Sequence, residues 1–136
     1  PLVMQQMPET SDDVAILDME AGIEHLGRGT AEGVDEFIVV VEPGMRSVST
    51  AHVVRSLAAD LGVRDVVAVG NRIHGAEDVA YLEGVLGEIP LIGTLPDSDE
   101  VRRADRDGRS SFGIDKDFTE ALRAIASSLI ARSDRS

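Results

Sequence analysis

Asp18 and Gly22 lie in the run VAILDMEAGIEHLGRGT, Val14 to Thr30, where a short apolar stretch ends abruptly in acids and glycines. A carboxylate at the tip of a buried strand can hold a water of a magnesium ion without being buried itself. A glycine just beyond it lets a backbone N–H come close to a terminal phosphate, because no side chain stands in the way. A D-x-x-A-G element of this kind can work as a nucleotide switch, with the segment Ile23 to Thr30 placed according to whether the last phosphate is there. The same residues also fit a solvated strand terminus followed by a turn.

Three other positions invite the same question. Asn71, in VAVGNRI, carries an amide that can donate and accept at once, as pairing with a purine edge requires, or it can end a strand through its own turn preference. Pro96 and Asp97, in LIGTLPDSDEV, combine a fixed exit with an acid. Asp97 or Ser98 would also serve as the cap of a following helix.

The elements that must position these residues can be read from the pattern of apolar runs. Val14 to Leu17, Phe37 to Val41, Val66 to Val69 and Leu91 to Leu95 are short and continuous, as expected of parallel strands buried on both faces. Between them, Ser49 to Leu61 carries apolar Val53, Val54, Leu57 and Leu61 at helical spacing and stops at Gly62, and Ala76 to Leu86 repeats the pattern and stops at Gly87, so Val53, Leu57, Val79 and Leu82 are expected to pack against the strands. Asp97 to Asp107 reads as a short charged helix and Asp117 to Ala131 as an amphipathic one. The alternation predicts an α/β fold, an open, mainly parallel sheet with helices on both faces, over a single domain from 13 to 136 after a lead-in of 1–12. In such sheets ligands sit beyond the carboxyl ends of the strands, so Asp18 to Gly22, Glu42 to Gly44, Gly70 to Arg72 and Pro96 to Asp97 are the residues to watch.

Composition narrows the partners. With 136 residues and a formal charge of −12, the surface repels a phosphate backbone or an anionic membrane, so neither nucleic acid nor membrane is expected as a partner. There is no cysteine, and His25, His52 and His74 are too scattered to suggest a metal cage. No apolar run reaches membrane-spanning length, which makes the cytoplasm the default. The start at Pro1 rather than Met hints at a processed, trimmed or partial polypeptide.

DMEAGIEHLGRGT, VVVEPGMRSVSTA, VAVGNRI and LIGTLPDSDEVRRAD together resemble the later half of the MinD/ParA-type deviant P-loop ATPases. Within that group they look most like the CooC-type ATPases, which help mature nickel-containing carbon monoxide dehydrogenase. The resemblance runs from about Asp13 to about Ser111, and the E-H-L-x-R-G-T continuation is its most specific part. It implies ATP or ADP as the ligand, with Asp18 reaching Mg2+ through water and Gly22 near the γ-phosphate. Asn71 would face the adenine, and Pro96 with Asp97 would line the other edge of the base. Glu20 and His25 belong to the subgroup's pattern, His25 reading as a switch-helix residue rather than a nickel ligand.

The departures from the family are as informative. Its G-K-G-G-x-G-K-[ST] loop, whose amides and lysines hold the phosphates, does not occur in these residues, where Lys116 is the sole lysine. The Cys-x-Cys pair through which CooC-type dimers bind metal is absent too. The resemblance therefore implies the switch and adenine-binding half of such an ATPase, unable to hydrolyse ATP alone. Its expected partners are an N-terminal P-loop segment or a sister copy in a homodimer, and carbon monoxide dehydrogenase as client. A response-regulator receiver is the alternative suggested by VAILDMEAG, but only seventeen residues precede Asp18, too few for its upstream acid pair. A non-catalytic oligomerisation module built on the ATPase fold is the other.

Overall fold

The computed structural model describes residues 14–18 and 34–133. In chain order the elements are β1 (Glu36–Val41), α1 (Met45–Asp60), β2 (Asp65–Ile73), α2 (Ala76–Val85), β3 (Leu91–Pro96), α3 (Asp99–Arg106) and α4 (Lys116–Ser133). The three strands form one parallel sheet in the order β1-β2-β3. Parallel neighbours need a crossover, and α1 and α2 are those crossovers.

The two faces of the sheet are covered by different helices. Alternate residues of a strand point to opposite sides. On one side Phe37, Val39 and Val41 of β1 and Val66 and Ala68 of β2 join Val48, Ala51 and Ala58 of α1 and Leu82 of α2 in one apolar core. On the other side Val67 and Val69 are buried, and Gly93, the register partner of Val69, lies under Ile125 of α4. A β-carbon at Gly93 would stand 2.4 Å from Ile125 Cγ1, so the helix can rest on β3 only because that residue has no side chain. At its far end α4 is tied to the start of β1, where Arg132 Nε and Nη2 both donate to Glu36 Oε1 at 2.7 Å.

The helix ends follow the glycines. Gly62 has φ +86, a left-handed conformation that costs a glycine little. It lets the Gly62 and Val63 N–H groups donate to the carbonyls of Ala59 and Ala58, so the last turn of α1 is satisfied.

Three expectations need correction. Val14 to Leu17 is not a strand: residues 14–18 are irregular and exposed, with Ile16 at 77%. An apolar run becomes a strand only when its backbone groups find a ladder, and the described strands offer it none. β1 is not buried on both faces either, because Ile38 and Val40 are 40% and 60% exposed on the side that α4 covers over β3. Val53 is also outside the core. Helix α1 begins at Met45 rather than Ser49, and its inward stripe is Val48, Ala51 and Ala58, a stripe that Val53 misses. Gly22, like most of DMEAGIEHLGRGT, lies outside the described residues. No helix among the described residues is long and apolar enough to cross a membrane.

Two substitutions test this packing by chemical denaturation. Leu82→Ala empties a fully buried position and should cost about 2–5 kcal/mol. Gly93→Ala should cost about 1–3 kcal/mol by overpacking, and the same substitution should cost much less when made in an Ile125→Ala background, which lacks the colliding atoms.

Candidate functional site

Beyond the carboxyl ends of the three strands lies an open cavity of about 450 Å3 lined by Glu42, Pro43, Arg72, His74, Asp78, Asp97 and Arg102. Each strand contributes through the turn that follows it. At the end of β1, the Glu42 N–H donates to Ser47 Oγ at 3.0 Å, which bends the chain into α1. At the end of β2, Arg72 adopts φ +55, the left-handed region that a residue with a β-carbon enters only at a cost in strain. Its guanidinium lies 3.3 Å from Glu42 Oε1, joining the two strand ends across the cavity. Two residues on, the His74 N–H donates to Asp78 Oδ2 at 2.8 Å, which fixes the entry into α2.

The third wall is the most constrained. The Asp97 N–H donates to Ile73 O at 3.1 Å, so β3 stays joined to β2 as far as the site. Ser98 then caps α3, accepting from the Val101 N–H at 3.3 Å, as the sequence suggested for either of these two residues. Ser98 is itself held from behind: its hydroxyl donates to Asp115 Oδ2 at 2.5 Å, while Asp115 Oδ1 accepts from the Phe118 N–H and so starts α4. One turn into α3, Arg102 spreads its fork, giving Nη1 to Asp97 Oδ1 and Nη2 to Asp99 Oδ1.

These contacts set the charge state of the acid at the centre. The hydrogen bond from Arg102 pulls the Asp97 carboxyl below its ordinary range, with the positive charges of Arg102, His74 and Arg72 acting in the same sense. Asp115 is lowered by the Phe118 N–H and then by the Ser98 hydroxyl. The same Asp97 hydrogen bond raises Arg102. An acid held ionised in this way is a poor general base and a good hydrogen-bond acceptor.

Of the positions singled out in the sequence, Asp97 lies in the cavity wall. Asn71 is half-buried in β2, directly before Arg72, and Pro96 ends β3 as the register partner of Ile73; neither lines the cavity. Asp18 is exposed and is not part of the lining. Glu42 and Arg72 were among the strand-end positions, whereas His74, Asp78 and Arg102 were not. Arg102 had a signal: it follows Asp97 by five residues and Asp99 by three, one helical turn, a spacing at which opposite charges meet.

No family model matches the chain. Among solved structures it superposes on the MinD cell division protein of Aquifex aeolicus, with a TM-score of 0.65 at 21% identity over 81% of this chain and 50% of that one. It likewise superposes on a ParA family ATPase of Chlorobium tepidum TLS, with a TM-score of 0.63 at 19% identity over 80% and 47% of the two chains. The fold is thus the α/β fold of the MinD/ParA ATPases. In sequence the chain is 34% identical over 120 residues to the carbon monoxide dehydrogenase accessory protein CooC of Rhodospirillum rubrum, covering 88% of this chain and 46% of that protein. An uncharacterised ATP-binding protein of Methanocaldococcus jannaschii is 38% identical over 97 residues, 69% of this chain and 37% of the other. The chain belongs to the CooC-type deviant P-loop ATPases of the MinD/ParA family. It spans about half the length of the relatives it matches.

A pH series checks the electrostatics. Asp97 and Asp115 have folded pKa values below their unfolded ones, so the stability they contribute is present above the ordinary carboxylate value of 3.8 and is lost as pH falls through the lowered values. Urea midpoints should therefore be insensitive to these two groups from pH 7 to 5 and fall below pH 4, and Asp115→Asn should flatten part of that fall.

Proposed function

We propose that the strand-end cavity receives the base of an adenine nucleotide, and that the chain is the base-binding and switch part of a CooC-like ATPase serving carbon monoxide dehydrogenase maturation. The observation that carries this reading is the ionised acceptor Asp97, set in an open cavity beyond three parallel strands, in a chain with 34% identity to CooC along 88% of its length. Asp97 would accept from the exocyclic amine of the base. Asn71, within β2 and just outside the cavity lining, is assigned to the base edge by the likeness to CooC, and Pro96 would fix the exit that brings Asp97 into place.

Asp18 and Gly22 are assigned to the phosphate end, Asp18 to Mg2+ through water and Gly22 to close backbone approach. Among the described residues no three of His, Asp and Glu gather to hold a metal ion. An exposed Asp18 nevertheless fits magnesium, which binds through one or two carboxylates, retained waters and phosphate oxygens rather than a dedicated cage. Phosphate contacts of the P-loop kind are assigned to a further segment, in the same polypeptide or in a second chain, or to a sister copy in a dimer. Cytoplasmic location and the handling of nickel belong to the same reading.

Three measurements test it. These 136 residues alone should bind ATP weakly and show no magnesium-dependent hydrolysis, and supplying a P-loop segment should restore both. In that completed protein Asp18→Asn should lower turnover far more than affinity, whereas Asn71→Ala should weaken binding by about 1–3 kcal/mol for an unmade buried hydrogen bond and spare the chemistry. Turnover by the isolated 136 residues that Asp18→Asn abolishes would overturn the division of labour.

A further inference from the structure

We infer that Arg102 determines which purine the cavity accepts, by occupying one oxygen of Asp97 and leaving the other free. The inference rests on the reading of the cavity as a base site. A free carboxylate has two oxygens side by side and binds a pair of adjacent donors in parallel, as it does an arginine fork. Guanine offers such a pair, N1–H next to the exocyclic amine. Adenine offers a single amine beside an acceptor nitrogen. In the structure Arg102 Nη1 already donates to Asp97 Oδ1, and its other limb is anchored on Asp99 Oδ1, so the guanidinium is held from both sides.

The oxygen left over is Oδ2. It lies 3.7 Å from His74 Nδ1, an ion-pair distance when His74 is protonated but longer than a hydrogen bond, so Oδ2 is the Asp97 oxygen that accepts no hydrogen bond from His74. Asp97 cannot turn away to free its other oxygen, because its side chain is only 15% exposed and its backbone is pinned to Ile73 on one side and to the Ser98–Asp115 pair on the other. Oδ1, already accepting from the Arg102 guanidinium, is the more crowded and weaker acceptor for a second donor, which leaves Oδ2 as the stronger one. Oδ2 satisfies the one amine of adenine and leaves one of guanine's two donors unmatched, and an unmatched buried donor is what gives hydrogen-bonding sites their discrimination. Arg102 works through Asp97 and needs no contact with the base.

The test uses the 136-residue chain with adenosine and guanosine, nucleosides that isolate the base from the phosphates. Dissociation constants are read from amide shifts of Gly70 to His74 and of Asp97. The wild type should prefer adenosine, and Arg102→Ala should shift the adenosine-to-guanosine ratio toward guanosine by about tenfold. Arg102→Met, which keeps the apolar stem and removes the donors, should do the same and serves if the alanine variant does not fold. Asp99→Asn, which leaves the Arg102–Asp97 contact in place, should keep most of the preference. If Arg102→Ala weakens both nucleosides in parallel, the arginine is structural and the inference falls while the base site stands. If the wild type shifts at none of these amides with either nucleoside at millimolar concentration, the base site falls and the inference with it.

Discussion

Central strand β2 is the constraint on which the described structure depends. Val66 to Gly70 are all buried, and this strand supplies both ladders, one to β1 and one to β3. A strand buried on both faces and paired on both edges has no solvent to fall back on, so its backbone groups must be met by neighbours in register. Gly70 shows how little slack remains: a β-carbon there would lie 3.0 Å from Thr94 Cγ2 and 3.1 Å from Leu82 Cδ1. Just after that tight point the chain turns left-handed at Arg72 and enters the cavity. The strained residue follows directly on a buried stretch paired on both edges, the support a preorganised site requires.

The cavity inherits its order from this arrangement. Its three walls come from three strands, but the contacts that hold them are of two kinds. Arg72 and Glu42, 59% and 49% exposed, form a pair that water screens and that contributes little to stability. The Asp97 wall is different, since backbone, cap and fork all converge on it and Ser98 is buried at 8%. One side of the cavity is thus soft and the other stiff. A ligand entering would displace the first more easily than the second.

Much of this was legible in the residues. The strands Phe37 to Val41, Val66 to Val69 and Leu91 to Leu95 stand within a few residues of where the apolar runs place them, and the helix stops at Gly62 and Gly87 follow from the backbone freedom of those positions. Asp97 was legible as a strand-end acid and Ser98 as a cap. The Val14 to Leu17 run was not, because a single run of apolar residues cannot say whether a partner ladder stands beside it. Nor were the ties from Glu36 to Arg132 and from Ser98 to Asp115, which join residues 96 and 17 positions apart and depend on where side chains point after packing. Val53 was misplaced because the inward stripe of a helix depends on where the helix starts.

β1 has a single neighbour among the described strands, and its sequence, EFIVVV, is β-branched and almost uncharged between Glu36 and Glu42. Where nothing else pairs it, a strand edge of that kind is a template for another copy of itself. What opposes this is the charge of −12 carried by the chain, a repulsion that reaches about 8–10 Å at moderate ionic strength and shrinks as salt is added. With such an edge unpaired, the colloidal stability of the chain would depend on ionic strength as well as on its folding free energy. Preparations that stay clear in dilute buffer would cloud as salt rises or as the pH approaches 4.5, the point at which the charge vanishes.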